Sequence, residues 1–175
     1  MKIGIAGVGG IGSNVAVNLV RSGVSHLLLV DMDQVEEDNL NRQFYFHDQI
    51  GKDKVTALSE NLTRIQPDLH LETRCQRIDE TNCRHIFADC AIVVEGLDRP
   101  ADKKMLVEHC GNKKLVVSAC GIAGAALWDI RVRRIGSALV VGDFSSDCRM
   151  LPLFAHKVGS ISNHMTQLIL GRYFQ

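Results

Sequence analysis

A glycine-rich turn near the start of the chain constrains the fold more than any other feature of the sequence. Residues 3–12 read Ile-Gly-Ile-Ala-Gly-Val-Gly-Gly-Ile-Gly, so a short apolar segment runs directly into the glycines. Ile11, Val15 and Leu19 then recur at helical spacing. A strand, a glycine turn and a helix in this order are typical of a nucleotide-binding βαβ unit. The pattern therefore predicts a phosphate-binding site near the start of the chain.

The glycines and the next acidic residue have separate expected roles. Gly7, Gly9, Gly10 and Gly12 together allow a tight turn, close approach of the backbone to a phosphate, and close packing of helix on strand. The helix N-terminus adds unpaired N–H groups and a partial positive charge. Asp31 ends the next apolar run, nineteen residues after the last of these glycines. We expect its carboxylate to accept hydrogen bonds from ribose hydroxyls.

The segment that follows Asp31 argues against an ordinary dehydrogenase. Carboxylates, amides and Arg42 stand where a dehydrogenase continues into a helix, and Lys54 follows at the start of the next helical segment. Arginine presents a planar fork of donors that suits phosphate oxygens, and its charge is permanent. Two cations beside one nucleotide indicate chemistry on a triphosphate, because charge that develops on phosphoryl oxygens must be stabilised.

Asp98 is a candidate magnesium ligand. It follows the continuously apolar run Ile92–Val94, which is typical of a buried parallel strand. Ligands of open α/β sheets bind outside the carboxyl ends of the strands, and a carboxylate there can hold Mg²⁺ that bridges phosphates. Asp98 could instead cap the helix that begins near Pro100. The residues themselves leave both roles open.

Composition and charge limit the class of protein. The 175 residues, 46% of them hydrophobic, suffice for one substantial core, so we expect one domain over residues 1–175. The net charge is zero, and nucleic acid is therefore not expected as a principal partner. No apolar run approaches the roughly 18–20 residues of a membrane span. Because Met1–Ile3 leads directly into a strand, we expect no signal peptide, no membrane association and a cytoplasmic location.

The cysteines do not form a recognisable metal or disulfide pattern. They stand singly at positions 75, 83, 90, 110, 120 and 148, without a C-x-x-C pair. We therefore expect no disulfide and no zinc site. Cys75, Cys90, Cys110 and Cys120 are expected to pack as small hydrophobes. The sequence does not decide whether Cys120 or Cys148 takes part in sulfur transfer.

The alternation of apolar patterns predicts the fold class. Strands are predicted near 2–6, 26–31, 69–75, 90–95 and 114–119, and helices near 11–22, 52–65, 79–88 and 100–111. This order predicts an α/β fold with a doubly wound, Rossmann-like, mostly parallel sheet and helices on both faces. After residue 124 the pattern predicts two hairpin-like strands, near 126–135 and 138–142, and a helix near 157–172. We expect these later strands to form an antiparallel C-terminal extension.

A spaced set of motifs resembles the signature of the ThiF/MoeB/HesA adenylyltransferases, the bacterial relatives of ubiquitin-activating enzymes. The motifs are Gly7–Gly12, Asp31–Asp33, Asn39–Gln43, Gly51–Val55, Ile65–Asp68 and Val94–Asp98, and the similarity continues at Val141–Asp143 and Ala155–Gly159. The last two resemble a short subgroup of ThiF proteins. The resemblance therefore covers essentially the whole chain.

The resemblance implies a reaction and its substrates. The enzyme would use ATP and Mg²⁺ to adenylate the C-terminal glycine carboxylate of a small ubiquitin-like sulfur carrier protein that ends in Gly-Gly, and would release pyrophosphate. Thiamine biosynthesis is the pathway we expect. The resemblance also assigns Arg42, Lys54 and Asp98 as catalytic residues, with Mg²⁺ on Asp98 and Asn39 orienting a phosphate or a metal-bound water. The ATP-binding residues that it implies are Gly7, Gly9, Gly10, Gly12, Asp31, Asp33, Asn39, Arg42, Lys54 and Asp98.

Two other functions remain open at this point. One is the tRNA threonylcarbamoyladenosine dehydratase of the same superfamily, whose Asn-Arg-Gln and glycine motifs are similar. The neutral net charge and the match at Val141–Asp143 count against it. The other is a nicotinamide-dinucleotide-binding oxidoreductase, which the glycine turn alone would fit.

The resemblance further implies a homodimer. We expect part of the apolar surface of the aromatic run Phe44–Phe46 and of the last helix to supply the interface, because a closed two-fold pair is the commonest oligomer. The apolar residues of that helix are Val158, Ile161, Met165, Leu168 and Ile169. Several relatives carry an N-terminal extension whose arginine reaches the partner's nucleotide. Since the first strand starts at Lys2, we expect no such arginine here.

Overall fold

The computed structural model describes residues 1–174, so the predicted domain extends beyond the described residues by Gln175 alone. The strands are β1 (Ile3–Ala6), β2 (His26–Asp31), β3 (His70–Cys75), β4 (Ile92–Glu95), β5 (Leu115–Ala119), β6 (Arg131–Ile135) and β7 (Ala138–Gly142). The helices are α1 (Gly10–Arg21), α2 (Lys54–Ile65), α3 (Cys83–Ile86), α4 (Pro100–Cys110) and α5 (Ala155–Tyr173). Over residues 1–174 no helix is long and apolar enough to cross a membrane.

All the strands join one sheet in the order β3-β2-β1-β4-β5-β7-β6. β1 is parallel to both of its neighbours, with Ile3 opposite Leu27 on β2 and Ile92 on β4. The strand order reverses at this point, and the chain leaves β1 and β4 towards opposite sides. Such a reversal opens a crevice at the carboxyl ends of the two strands, which is where ligands bind in doubly wound sheets. The predicted fold class is confirmed.

Helices cover both faces of the sheet. α1, α2 and α5 pack on the face that carries Ile3 and Ile5, and α3 and α4 pack on the face that carries Ala6 and Val93. The strands between these layers are buried on both sides, which explains their continuous apolar runs. The order of elements therefore leaves the polar residues at the strand ends to form the crevice.

The expected antiparallel C-terminal extension is present, since β6 and β7 run antiparallel to each other. β7 lies between β5 and β6 and is parallel to β5, so β6 runs against the direction of β5 and β7. The chain crosses from β5 to the edge of the sheet, forms β6 there, and returns through a tight turn at Gly136, whose φ of 58° favours glycine. The predicted strand over 126–135 begins only at Arg131.

The helix predicted over 79–88 is confined to Cys83–Ile86. The Asp79 carboxylate accepts hydrogen bonds from the backbone N–H groups of Thr81 and Asn82 at 2.9 and 3.2 Å. An acidic side chain that accepts from the N–H groups two and three residues later caps the start of a turn or helix. The chain turns at residues 80–82 and becomes helical only at Cys83.

Most of the residues expected to form a dimer interface are instead packed in the core of the chain. The apolar residues of α5 that we assigned to it include Val158, Ile161, Met165 and Ile169, and all four are fully buried against the chain's own sheet. Within the aromatic run, Tyr45 is also buried and Phe46 is exposed. The α5 part of the expected interface is therefore wrong, because these residues complete the core, whereas the part at Phe46 stays a prediction.

The cysteines divide into buried and exposed groups. Cys90 and Cys110 are buried as expected, and burial raises the pKa of each thiol to about 11. Cys75 and Cys120 are exposed, contrary to expectation. Cys75 ends the edge strand β3, most of which faces solvent, and Cys120 lies one residue beyond the buried part of β5. Cys148 is exposed as well.

Candidate nucleotide site

The glycine turn between β1 and α1 forms the floor of the crevice. Gly7 has φ +82°, and a Cβ there would lie 2.7 Å from the Gly96 oxygen. A Cβ on Gly12 would lie 1.9 Å from the Gly7 oxygen, so only glycine lets α1 pack this closely. At Gly9 the nearest atom to such a Cβ is Gln43 Nε2, at 3.8 Å. Gly7 and Gly12 are therefore required by the turn, whereas Gly9 leaves an open approach to the backbone.

Asp31 connects the ends of β1 and β2. Its Oδ2 accepts a hydrogen bond from the Val8 N–H at 2.7 Å, and its Oδ1 accepts one from the Asp33 N–H at 2.9 Å. Burial raises the pKa of this carboxyl, and the two backbone hydrogen bonds oppose that rise only in part. The carboxylate thus fixes the glycine turn, and contact with a ribose stays a prediction.

Arg42 lies beside the first turn of α1. Its Cγ lies 3.7 Å from the position that a Cβ on Gly10 would take. Its Nη1 donates to the Asp38 oxygen at 2.9 Å and to Asn41 Oδ1 at 2.8 Å. The guanidinium is therefore held by its own loop, and contact with a phosphate would require these two hydrogen bonds to be exchanged.

Three polar side chains that the sequence analysis did not single out attach this loop to the glycine turn. Asn14 Nδ2 donates to the Gly10 and Arg42 oxygens at 2.6 and 2.9 Å. Ser13 Oγ donates to the Gly9 oxygen at 2.7 Å, and the Tyr45 hydroxyl donates to the Val8 oxygen at 2.7 Å. The signal in the sequence was the polar pair Ser13-Asn14 in the first turns of a mostly apolar helix.

Lys54 and Asp33 meet at the mouth of the crevice. The side chain of Lys54 is nearly buried, at 8% exposed, and its Nζ lies 3.2 Å from Asp33 Oδ2. The Lys54 N–H also donates to the Asp33 oxygen at 2.9 Å. The structure therefore brings together two residues that the sequence analysis assigned to one site. A nearly buried ammonium at this position supplies a fixed positive charge.

Asn39 has a structural role in the same loop. It is buried at the end of a short 3₁₀ turn over Glu37–Asn39, and its Oδ1 accepts a hydrogen bond from the Glu36 N–H at 3.1 Å. Within residues 1–174 its Nδ2 has no hydrogen-bond partner. That amide group remains able to donate to a phosphate or a water.

Asp98 lies in the loop after β4, which touches the glycine turn through a hydrogen bond from the Gly96 N–H to the Ala6 oxygen. Its side chain is exposed and, over the described part of the chain, makes no hydrogen bond or ion pair. The N-cap of α4 is Arg99, so the capping role considered for Asp98 is not observed. Its carboxylate is free to bind a cation.

Glu95, three residues earlier, is fully buried and fully paired. It accepts hydrogen bonds from Lys103 Nζ at 2.9 Å, from Ser118 Oγ and from the Leu97 N–H at 2.7 Å. Residues 1–174 contain no group of three or more His, Cys, Asp or Glu side chains able to hold a metal. Asp98 nevertheless fits Mg²⁺, since that ion commonly takes one or two carboxylates and completes its shell with phosphates and water.

A buried ion pair lies beside the crevice, at the carboxyl ends of β5 and β7. Lys157 is 1% exposed, and its Nζ donates to Asp143 Oδ2 at 2.5 Å and to the Ala123 oxygen at 2.6 Å. Burial raises the pKa of Asp143, but hydrogen bonds from Lys157 and from two backbone N–H groups outweigh this and hold the pKa below its usual range. The next residue, Val158, packs against Gly10. The pair therefore sets α5 against the glycine turn.

Comparison with known proteins agrees with this geometry. The sequence profile of the ThiF family matches residues 1–128. The chain belongs to the ThiF family. This ThiF-family chain is 48% identical over 71 residues to ubiquitin-like modifier-activating enzyme 5 of Drosophila simulans, a match that covers 41% of the chain and 18% of that relative. The chain thus spans less than a fifth of the length of that protein.

Two solved structures share the fold over nearly the whole ThiF-family chain. The E. coli tRNA threonylcarbamoyladenosine dehydratase in complex with AMP matches with a TM-score of 0.87 and 19% identity, over 99% of this chain and 88% of that one. E. coli MccB, solved with AMPCPP and MccA, matches with a TM-score of 0.77 and 23% identity, over 96% of this chain and 54% of that one. These similarities establish the common fold.

Proposed function

We propose that this protein binds ATP in the crevice at the carboxyl ends of β1, β2 and β4 and transfers AMP to a carboxylate. The observation that carries the proposal is the nearly buried Lys54 ammonium, paired with Asp33 beside a turn that tolerates only glycine at Gly7 and Gly12. The pyrophosphate of a nicotinamide dinucleotide can be held by the helix N-terminus alone, whereas charge that develops on a reacting triphosphate is best stabilised by a cation. Solved relatives with AMP, ATP and AMPCPP support the choice of nucleotide.

The proposed reaction joins two anions. A carboxylate oxygen attacks the α-phosphorus of ATP, the bond from that phosphorus to the bridging oxygen of the β-phosphate breaks, and pyrophosphate leaves with the electron pair. The acyl-adenylate is then a far better acyl donor than the free carboxylate. Arg42 and Lys54 would hold the phosphates and stabilise the charge that develops on them, so the main contributions of the protein are positioning and charge neutralisation.

Asp98 is the residue that would hold Mg²⁺. Its unpaired carboxylate beside the glycine turn is the basis for this assignment. When bound, the ion supplies neutralisation of phosphate charge. Asn39 would donate from its free Nδ2 to a phosphate or to water in the same shell.

For the acceptor, we propose first the carboxylate of threonylcarbamoyl-adenosine in tRNA, whose activation by AMP permits cyclisation. The similarity of fold to the E. coli dehydratase supports this choice because it spans 99% of this chain and 88% of that enzyme. This places the dehydratase ahead of the sulfur carrier that the motifs favoured.

The second candidate acceptor is the C-terminal glycine carboxylate of a ubiquitin-like sulfur carrier, with thiamine biosynthesis as the pathway. The specific observation in its favour is the 48% identity over 71 residues to a ubiquitin-like modifier-activating enzyme. Both acceptors present a carboxylate to the same α-phosphate, and they differ in what must be recognised beyond it.

The acceptor can be identified by following pyrophosphate release from ATP with each candidate. We expect release that requires Mg²⁺ and one of the two acceptors, either tRNA that carries threonylcarbamoyl-adenosine or a carrier protein that ends in Gly-Gly. Unmodified tRNA and a carrier without its last glycine serve as the matched controls. If neither acceptor causes release while the protein is folded and binds ATP, carboxylate adenylation of both kinds is refuted.

A further inference from the structure

β6 forms one edge of the sheet and is open to solvent. It pairs with β7 on one side, and over residues 1–174 no strand pairs with its other side. All five of its residues are exposed. A strand edge of this kind presents a row of backbone N–H and C=O groups to which another extended chain can pair.

The side chains of β6 give this edge a strong positive charge. Arg131, Arg133 and Arg134 stand within four residues, and within the described residues none of the three is ion-paired with a carboxylate. Arg133 is held in place by stacking, with its guanidinium carbon 4.7 Å from the centre of the Phe144 ring. Stacking leaves the in-plane N–H groups of a guanidinium free to bind carboxylate oxygens.

Both faces of β6 carry arginine and apolar side chains. Arg131, Arg133 and Ile135 lie opposite Gly142, Val140 and Ala138 of β7, whereas Val132 and Arg134 lie opposite Val141 and Leu139. Residues directly opposite each other share a face of the sheet. A strand that added to this edge would therefore find an arginine and an exposed aliphatic side chain on each face.

The same charge excludes a second copy of β6 as the occupant. Two such strands side by side would bring like charges opposite each other, which destabilises the pairing. Nucleic acid makes no use of the open backbone edge or of the exposed Val132 and Ile135. An acidic polypeptide is the partner that complements all of these features.

We propose that β6 is a docking edge for an extended acidic segment of a partner protein, which adds to the sheet as a further strand and places its carboxylates against Arg131, Arg133 and Arg134. The carboxylates supply the charge complement, and the backbone hydrogen bonds of strand addition fix the register. The proposal does not depend on the identity of the adenylation acceptor, because β6 lies at the sheet edge and is separated from β4 by the two strands β5 and β7.

The probe is a fluorescein-labelled peptide of sequence Glu-Glu-Val-Val-Glu-Glu-Val, which carries carboxylates and apolar side chains on both faces of a strand. It is titrated with the whole protein in about 50 mM salt, where exposed charges are weakly screened. We expect saturable binding by fluorescence anisotropy, and perturbed amide signals confined to β6 and its neighbours in an NMR spectrum of the ¹⁵N-labelled protein. Replacing Arg131, Arg133 and Arg134 by Gln should weaken binding at least about tenfold. ATP binding should stay unchanged.

Two controls make the result specific. Replacing the exposed Arg64, Arg77 and Arg84 by Gln removes the same charge from elsewhere and should leave binding unchanged. A peptide with Pro in place of the central Val keeps the charge but cannot form a regular strand, and should bind more weakly. Each of four outcomes would overturn the proposal. The first two are that the Pro peptide binds as tightly as the Val peptide, or that the Val peptide does not bind. The others are that ten-nucleotide oligouridine binds β6 more tightly than the Val peptide, or that the perturbed amide signals lie only outside β6 and its neighbours.

Discussion

At the scale of single residues, the site combines charges whose roles depend on their burial. Lys52 and Lys54 lie two positions apart at the start of α2, yet Lys52 is half-exposed and paired with Glu60, whereas Lys54 is nearly buried beside Asp33. Only the buried ammonium is shielded from solvent at the crevice, where a fixed charge has its largest effect. The sequence places both lysines near the crevice and does not distinguish them, because their difference arises from packing.

The two lysines therefore give a matched test of the catalytic assignment. Lys54→Ala should lower acceptor-dependent ATP–pyrophosphate exchange at least about a hundredfold, the scale of loss when one transition-state donor is removed, and Arg42→Ala should do the same. Lys52→Ala should leave exchange near the wild-type rate. Exchange measured at saturating ATP decides the matter, and wild-type rates in both the Lys54 and the Arg42 variants would refute their roles.

Substitutions at two glycines of the turn should affect protein stability and ATP binding separately. Gly9→Ala should cost less than about 1 kcal/mol of stability, because its Cβ meets nothing closer than 3.8 Å, but should weaken ATP binding by blocking the approach of phosphate to the backbone. Gly12→Ala should unfold or strongly destabilise the protein, because its Cβ would lie 1.9 Å from the Gly7 oxygen. Thermal melting and ATP titration of each variant check both statements. A Gly9 variant that binds ATP normally would contradict the expected phosphate position.

Residues fixed by local chemistry could be predicted, and residues fixed by distant contacts could not. Gly7 and Gly12 follow from the strand–turn–helix pattern, whereas the resemblance to the family, and not a local pattern, singles out Lys54 from Lys52. Tyr45 and Asn14 matter through contacts with Val8 and Arg42, which lie far away in the sequence. Such contacts depend on the folded backbone, so no short sequence pattern predicts them.

At the scale of elements, buried parallel strands were easier to predict than the edge of the sheet. β2 was predicted with its observed limits because a strand buried on both faces must be apolar throughout. β6 and β7 could be recognised as strands, but the parallel pairing of β7 with β5 depends on where the crossing chain returns. Neither arrangement of the hairpin changes the apolar pattern, and the sequence therefore could not choose between them.

The buried ion pair between Asp143 and Lys157 should stabilise the position of α5 in the fold. Lys157→Met keeps the length of the side chain but leaves the Asp143 carboxylate without its partner, and should cost about 3–5 kcal/mol in the free energy of unfolding. Arg149→Gln breaks a solvent-exposed pair with Asp147 and should leave the free energy of unfolding unchanged within error. Urea unfolding of both variants gives the comparison. Equal stability of the two would contradict the assigned role.

The decrease in the free energy of unfolding caused by Lys157→Met should also depend on pH. In the wild type the pKa of Asp143 lies below its ordinary value, so the stabilisation from its ionised form is present above that ordinary value and is lost only as the pH falls through the folded pKa. Without Lys157, burial raises that pKa, and the carboxyl can become neutral on mild acidification. The destabilisation measured by urea unfolding should therefore be smaller near pH 4 than at pH 7. A cost that grows on acidification would contradict this reasoning.

At the scale of the whole molecule, the choice of nucleotide should be visible in stability. A ligand that binds only the folded state raises its stability by RT ln(1 + [L]/Kd), about 2.7 kcal/mol at a hundredfold excess over Kd. ATP with Mg²⁺ should therefore raise Tm, and NAD at the same concentration should not. Lys54→Ala should remove most of the shift with ATP. A larger shift with NAD would reverse the assignment of the crevice.

We expect the homodimer to use exposed apolar surface other than the buried side of α5. With that side buried, the most exposed large apolar residues include Trp128, at 86%, and Met150. The loops that carry them are joined by a hydrogen bond from the Gly124 N–H to the Pro152 oxygen at 2.8 Å. Exposed apolar side chains favour association, and a two-fold pair is the commonest oligomer. Light scattering should therefore give twice 19.3 kDa for the wild type and 19.3 kDa for a variant with both residues changed to Ser. A wild type that stays monomeric at micromolar concentration while fully active in exchange would exclude the homodimer.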